Sequence, residues 1–141
     1  MTALSKSRTV RSIPGFMFSY PVLADAVIHQ GAIVVLTAAG YAKPAVTGTG
    51  LIAVGIARES VDATGLSSGD ISVEVEEMIA ECANSAGGDE ITIADIGKVC
   101  FLADDQTVAK TDGTGTRSPA GVVKKIEGGR VFVKIEARVL A

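Results

Sequence analysis

Val122-Val123-Lys124-Lys125-Ile126-Glu127-Gly128-Gly129-Arg130-Val131-Phe132-Val133-Lys134-Ile135-Glu136 is the stretch that decides the fold. Two runs rich in β-branched residues flank a Gly-Gly pair. Both glycines can take a positive φ, which a two-residue hairpin turn needs to match the twist of its strands. Val131, Val133 and Ile135 fall on one face of the second run; Arg130, Phe132, Lys134 and Glu136 fall on the other. A period of two with one apolar face is the signature of a half-buried strand.

Working back from the hairpin, residues 111–121 are rich in Thr, Gly, Ser and Asp and read as a loop. Before it, Val99-Cys100-Phe101-Leu102-Ala103 and Gln106-Thr107-Val108-Ala109 flank Asp104-Asp105 and predict a second hairpin. Thr92-Ile93-Ala94-Asp95-Ile96-Gly97 predicts one helical turn. Thr92 stands at the cap, Asp95 at the capping-box offset, and Gly97 where a left-handed residue ends the turn.

Further back, Ile71, Val73 and Val75 alternate with Ser72, Glu74 and Glu76, and then the parity slips by one residue to Met78, Ala80 and Cys82. One inserted residue does this in a β-bulge, which places a bulge near Glu76-Glu77. Leu51-Ile52-Ala53-Val54-Gly55-Ile56-Ala57 alternates large with small residues as a strand does, and Gly55 permits a close backbone approach. Gly31-Ala32-Ile33-Val34-Val35-Leu36-Thr37 is a continuous apolar run, the pattern of a strand buried on both faces. Phe16-Met17-Phe18-Ser19-Tyr20-Pro21 holds three of the six aromatics; it reads as the first strand of the body or as an anchor on a neighbouring subunit. About eight short strands at regular spacing predict a small all-β barrel or sandwich with one short helical turn.

The chain has 141 residues, enough for one domain with its own core. Apolar residues make up 48% and aromatics only 4%, so Val, Ile, Leu and Ala must fill that core. Residues 1–20 carry Lys6, Arg8 and Arg11 and no acid. With a net charge of −3 overall, the other 121 residues carry −6. The organisation expected is an extended N-terminal arm over 1–20 and a β-rich domain over 21–141. No apolar run approaches the ~20 residues of a membrane span, and Thr9-Val10-Arg11-Ser12 interrupts any signal-peptide core. Cys82 and Cys100, each among apolar neighbours, read as free, buried thiols.

A catalytic reading finds little support. His29 is the single histidine, and no Gly-x-Ser-x-Gly motif accompanies it. Two cysteines without a second histidine cannot complete a zinc site. Asp104, Asp105 and Asp112 lack the spacing of a calcium loop. Glu74 and Glu76 read as a solvent-facing row, and Gly113-Thr114-Gly115-Thr116 lacks the Gly-Lys-Ser/Thr of a P-loop. The expectation is a protein with no enzymatic activity, no cofactor and no metal.

Ile93-Ala94-Asp95-Ile96-Gly97-Lys98-Val99-Cys100-Phe101-Leu102-Ala103-Asp104-Asp105-Gln106-Thr107-Val108-Ala109, followed by Thr111-Asp112-Gly113-Thr114-Gly115-Thr116-Arg117-Ser118-Pro119-Ala120-Gly121, resembles the capsid decoration (cement) proteins of tailed phages, in the style of the lambda-type head decoration proteins. Gly31-Ala32-Ile33-Val34-Val35-Leu36 and Val54-Gly55-Ile56-Ala57 are similar to the front half of that family, so the resemblance spans roughly residues 20–136. It implies a compact β-tulip-like fold, homotrimers, and a structural role on the capsid exterior of a virion assembled in a host cytoplasm. There the protein would bind the major capsid protein and stabilise the head against packaged DNA. Lys6, Arg8, Arg11, Phe16, Phe18 and Tyr20 of the arm are the expected capsid-binding residues. The alternative is a surface glycan- or receptor-binding β module, for which the body offers few aromatics: Tyr41, Phe101 and Phe132. Neither a membrane nor a nucleic acid is an expected partner, because a body of −6 repels phosphate.

Overall fold

The structure, a computed structural model, describes residues 16–137. It is almost entirely β. Twelve strands follow in order: β1 (Met17–Pro21), β2 (Val27–Ile28), β3 (Ile33–Leu36), β4 (Ala42–Pro44), β5 (Ile52–Ala57), β6 (Val61–Asp62), β7 (Ser72–Glu76), β8 (Met78–Asn84), β9 (Val99–Leu102), β10 (Thr107–Ala109), β11 (Pro119–Glu127) and β12 (Arg130–Ile135). The count exceeds the expected eight because β2 and β6 have two residues each, too few to show an alternation, and because the run after Ile71 divides in two.

The C-terminal half closes into a barrel in the order β10-β8-β12-β11-β9. At its centre is the β11–β12 hairpin, with Glu127 opposite Arg130 and φ of 58° and 76° at Gly128 and Gly129. Val131, Val133 and Ile135 are fully buried inside the barrel, as their alternation predicts. The N-terminal half is a five-stranded sheet in the order β1-β7-β5-β3-β4. It curls until Val22, just after β1, forms a parallel bridge with Ala42 of β4.

The two halves share the β3–β5 pair. Ile33, Val35, Ala53 and Ile56 join the barrel's core, whereas Val34, Val54 and Ala57 pack into the core of the first sheet with Val22, Val73 and Val75. Both faces of β3 are therefore buried, which is why its sequence is a continuous apolar run rather than an alternation.

Two sequence expectations change here. The residues around Glu77 are not a bulge. β7 belongs to the first sheet and β8 to the barrel, and Glu77 is the single residue where the chain crosses between them. Its N–H donates to the Phe16 carbonyl at 2.8 Å, and its carboxylate accepts from the Ala137 N–H at 2.8 Å. The parity slip marks a change of sheet, which shifts the buried face just as an inserted residue would. A real irregularity sits in β5 instead. Gly55 pairs with Val34 and Ala53 with Val35, so β5 carries one extra residue. Ile52, Val54 and Ile56 consequently do not share a face: Ile52 is exposed, and the other two enter different cores.

The expected helical turn is present as a 3-10 turn over Ile93–Asp95, and a second one spans Gly87–Asp89. The boundary expected between residues 20 and 21 falls within β1.

Gly55 has a φ of 147°, and a Cβ there would collide with the Glu76 carbonyl and meet Val75 Cγ1 at 2.8 Å. One neighbour is backbone and the other a fully buried, stiff valine, so Gly55→Ala is expected to cost about 4 kcal/mol. Gly128 is also left-handed but has open space around it, so Gly128→Ala should cost only about 1–2 kcal/mol. Denaturant unfolding of the two variants checks this; equal losses would mean that the crossing at Glu76 is not tightly packed.

Candidate functional surface

Of the residues expected to bind a partner, Lys6, Arg8 and Arg11 lie outside the described residues. The three aromatics separate. Phe18 and Tyr20 lie opposite Val75 and Val73 in the β1–β7 register and are half-buried, with ring centroids 6.3 Å apart. Tyr20 packs against the first core, and its phenol is shifted upward, first by burial and then by the Glu77 charge. These two rings are part of the body. Phe16, 65% exposed, is the ring that faces solvent. Of the two readings left open for this segment, first strand or anchor, its middle is strand.

The segment from Ile93 onward is built onto the barrel by local rules. Asp95 accepts from the Thr92 backbone N–H at 2.8 Å and lies 3.3 Å from its hydroxyl, the return arm of a capping box. That hydrogen bond is the main reason the Asp95 carboxyl lies below its ordinary value. Gly97, at φ 89°, turns the chain so that its N–H reaches the Val123 carbonyl at 2.8 Å, and Val123 N–H in turn reaches Lys98. The turn thereby sits on β11 and leaves Ile93 and Ile96 pointing outward, 77% and 47% exposed. β9 and β10 pair as the expected hairpin, with Asp104 accepting from the Gln106 N–H at 2.9 Å in its turn.

The Thr/Gly-rich loop is ordered by one cluster. Gly113, Thr114 and Gly115 are successively left-handed, at φ 62°, 60° and 77°, and the Thr116 and Arg117 N–H groups both donate to the Asp112 carbonyl. Arg117 Nη1 donates to Asp89 at 3.3 Å and to the Thr111 carbonyl at 3.0 Å, and the Thr111 hydroxyl donates to the other Asp89 oxygen. The Thr111 hydroxyl first, and then Arg117, lower the Asp89 pKa. Ser118, buried, donates to the Gly48 carbonyl at 2.7 Å and accepts from the Leu51 N–H at 3.1 Å, tying this loop to the loop before β5. The Asp89–Arg117 pair spans 28 positions and carries no local sequence signal, so it escaped the sequence reading. So did the outward direction of Ile93 and Ile96, which depends on the strand that the turn rests upon.

Among the described residues the groups capable of chemistry do not converge. His29 is exposed at the rim of a shallow depression of about 290 Å³ lined by Gln30, Gly31, Ala32, Asp105 and Gln106, none of them a hydroxyl or thiol nucleophile. Glu76 pairs with Arg58 at 3.3 Å, and a Glu59 oxygen accepts from the Glu74 N–H. Among the described residues no three His, Cys, Asp or Glu side chains cluster as metal ligands would. Cys82 and Cys100 are free and buried in the barrel core, as expected. Burial pushes their thiols up to about 11 and about 12.

No family model matches the chain, and the comparisons with curated proteins and with solved structures likewise return no match.

Two expectations follow from this geometry. Native protein at pH 8 should resist alkylation at Cys82 and Cys100, because buried thiols of such high pKa supply almost no thiolate, whereas denatured protein should take up two labels; rapid native labelling read by mass spectrometry would contradict the buried positions. Asp95, with its pKa lowered from 3.8, stabilises the fold fully above that unfolded value, and the contribution is lost as pH falls through the lower folded value. Asp95→Asn should therefore flatten the acid limb of a melting-temperature profile below about pH 4; an unchanged acid limb would show that the capping box contributes nothing.

Proposed function

We propose that this protein is a non-enzymatic capsid decoration protein, seated on the outside of a tailed-phage head between major capsid proteins. The observation that carries the reading is the resemblance of residues 93–121 to that family. Two features support it. The resembling segment is one continuous unit on the barrel wall, in which the capping-box turn, the β9–β10 hairpin and the Asp89–Arg117 loop are each held by hydrogen bonds. That unit offers a partner the apolar side chains of Ile93 and Ile96, and it holds no convergent reactive groups. A binding role needs such a rigid surface with exposed apolar atoms and little else. The basic residues Lys6, Arg8 and Arg11 would add attraction to acidic rims on the capsid, and contacts on the head would stabilise it by binding only the assembled lattice.

Co-sedimentation with undecorated heads at two salt concentrations tests the proposal. The full chain should pellet with heads. A variant lacking residues 2–12 should bind more weakly and with less dependence on salt, since three fewer cations displace fewer counterions. Ile93→Ser with Ile96→Ser should weaken binding at both salts without lowering the melting temperature, as both side chains already face water. Failure of the full chain to pellet with any head would remove the capsid reading; equal binding by all three proteins would keep it and show that neither residues 2–12 nor Ile93 and Ile96 carry the contact.

A further inference from the structure

We propose that β1 is a self-pairing edge through which two copies of this chain associate, their β1 strands antiparallel about a two-fold axis at Phe18. The direction of each backbone group in β1 follows from its neighbours. The Phe16 carbonyl accepts from Glu77 of the β7 crossing, and the Val22 N–H donates to Ile71, so even-numbered residues turn their N–H and C=O groups toward β7. Met17, Ser19 and Pro21 then turn theirs away from it, because successive residues of a strand alternate in direction. At the far end this outward side is already used: Val22 bridges Ala42, and Leu23 N–H donates to the Ala42 carbonyl at 2.9 Å. Met17 and Ser19 remain. Among the described residues β1 pairs with β7 alone, so two N–H and two C=O groups stand open to a further strand.

Edges of this kind are normally guarded by charge, a bulge or a proline. β1 has no charged residue, and its register with β7 is unbroken from Met17 to Pro21. Its proline lies at position 21, past the open groups. The opposite edge of the sheet is guarded: β4 is three residues long, ends on Lys43 and Pro44, and has Ala42 engaged in the bridge.

The occupant that fits is a second copy, because the open groups complement themselves. Placing Met17 opposite the partner's Ser19, and Ser19 opposite the partner's Met17, makes two reciprocal hydrogen-bonded pairs that use all four groups. Phe18 then meets its own counterpart in the closer, non-hydrogen-bonded position. Phe16 meets the partner's Tyr20, which covers the ring that is 65% exposed in one chain. Aromatic cross-strand pairs of this type add stabilisation beyond the backbone bonds. Like charge does not oppose the contact. Glu74 and Glu76 lie on β7, one strand in from the edge, so the acidic rows of the two copies would be three strand spacings, roughly 14 Å, apart. That exceeds the screening length of about 8 Å at physiological salt. The pairing does not rest on the capsid reading and leaves the rest of the surface for any three-fold contact on a head.

Sedimentation equilibrium of the full chain over a wide concentration range is the test. A monomer–dimer equilibrium is expected. Ser19→Pro removes one outward N–H and leaves the bonds to β7 in place, so it should weaken dimerisation at least tenfold with the far-UV spectrum unchanged. Should that variant fold poorly, Met17→Lys with Ser19→Lys puts like charges across the seam at two exposed positions and should give the same loss. Phe18→Cys should form a covalent dimer on mild oxidation, because the two-fold sets that position against itself while Cys82 and Cys100 stay buried. A full chain that is monomeric throughout, including one that dimerises only once residues 2–12 are removed, overturns the proposal. So does undiminished association of the folded proline or lysine variants. Head binding is read separately, so loss of either result leaves the other standing.

Discussion

The β3–β5 pair is buried on both faces, and both hydrophobic cores are assembled on it. Apart from the exposed Ile52 and the half-buried Leu36 at one end, its residues must fit between two packed layers. The irregularity in β5 is what makes this possible. Ala53 and Ile56 reach the barrel core while Val54 and Ala57 reach the other, an arrangement that a strictly alternating strand could not produce. Gly55 occupies the tight point, where the Glu76 carbonyl leaves no room for a side chain.

The same point is where the chain changes sheets. β7 and β8 are separated in sequence only by Glu77, so the first sheet and the barrel are joined by backbone as well as by packing. Glu77 also gathers the two ends of the described chain: its N–H holds Phe16 and its carboxylate holds Ala137. The edge strand β1 is therefore fixed at both ends, through Glu77 at its start and the Val22–Ala42 bridge after its finish. A strand held in that way keeps its open groups in a defined plane, and ordering it for a partner costs less entropy than ordering a free segment.

The surfaces available for recognition are set on this frame rather than made by it. The loop after β10 keeps its left-handed turn because Asp89, Thr111 and Arg117 close around it, and the capping-box turn stands on β11 through Gly97 and Val123. The turn presents Ile93 and Ile96 to solvent, and the loop presents Thr114, Gly115 and Thr116 beside Lys110 and Asp112.

Elements whose cause is local could be read from the sequence. The Gly128–Gly129 hairpin, the Asp104–Asp105 hairpin, the Thr92–Gly97 turn with its capping box, and the doubly buried β3 each follow from residues within a few positions of one another. Turn chemistry and side-chain period act over that range. So does the all-β class, and so do the two free buried thiols. What depends on distant neighbours was not legible. The slip at Glu77 looks the same whether a residue bulges out of one ladder or the strand passes into a second sheet, because both shift the buried face by one. The extra residue in β5 is invisible until β3 is laid beside it. Asp89 and Arg117 stand 28 residues apart, and whether Ile93 points in or out depends on which strand the turn rests upon. The placement of Phe16, Phe18 and Tyr20 shows the division most plainly. Their composition left both a first strand and an anchor possible, and only pairing with β7 decided that Phe18 and Tyr20 lie half-buried on the body.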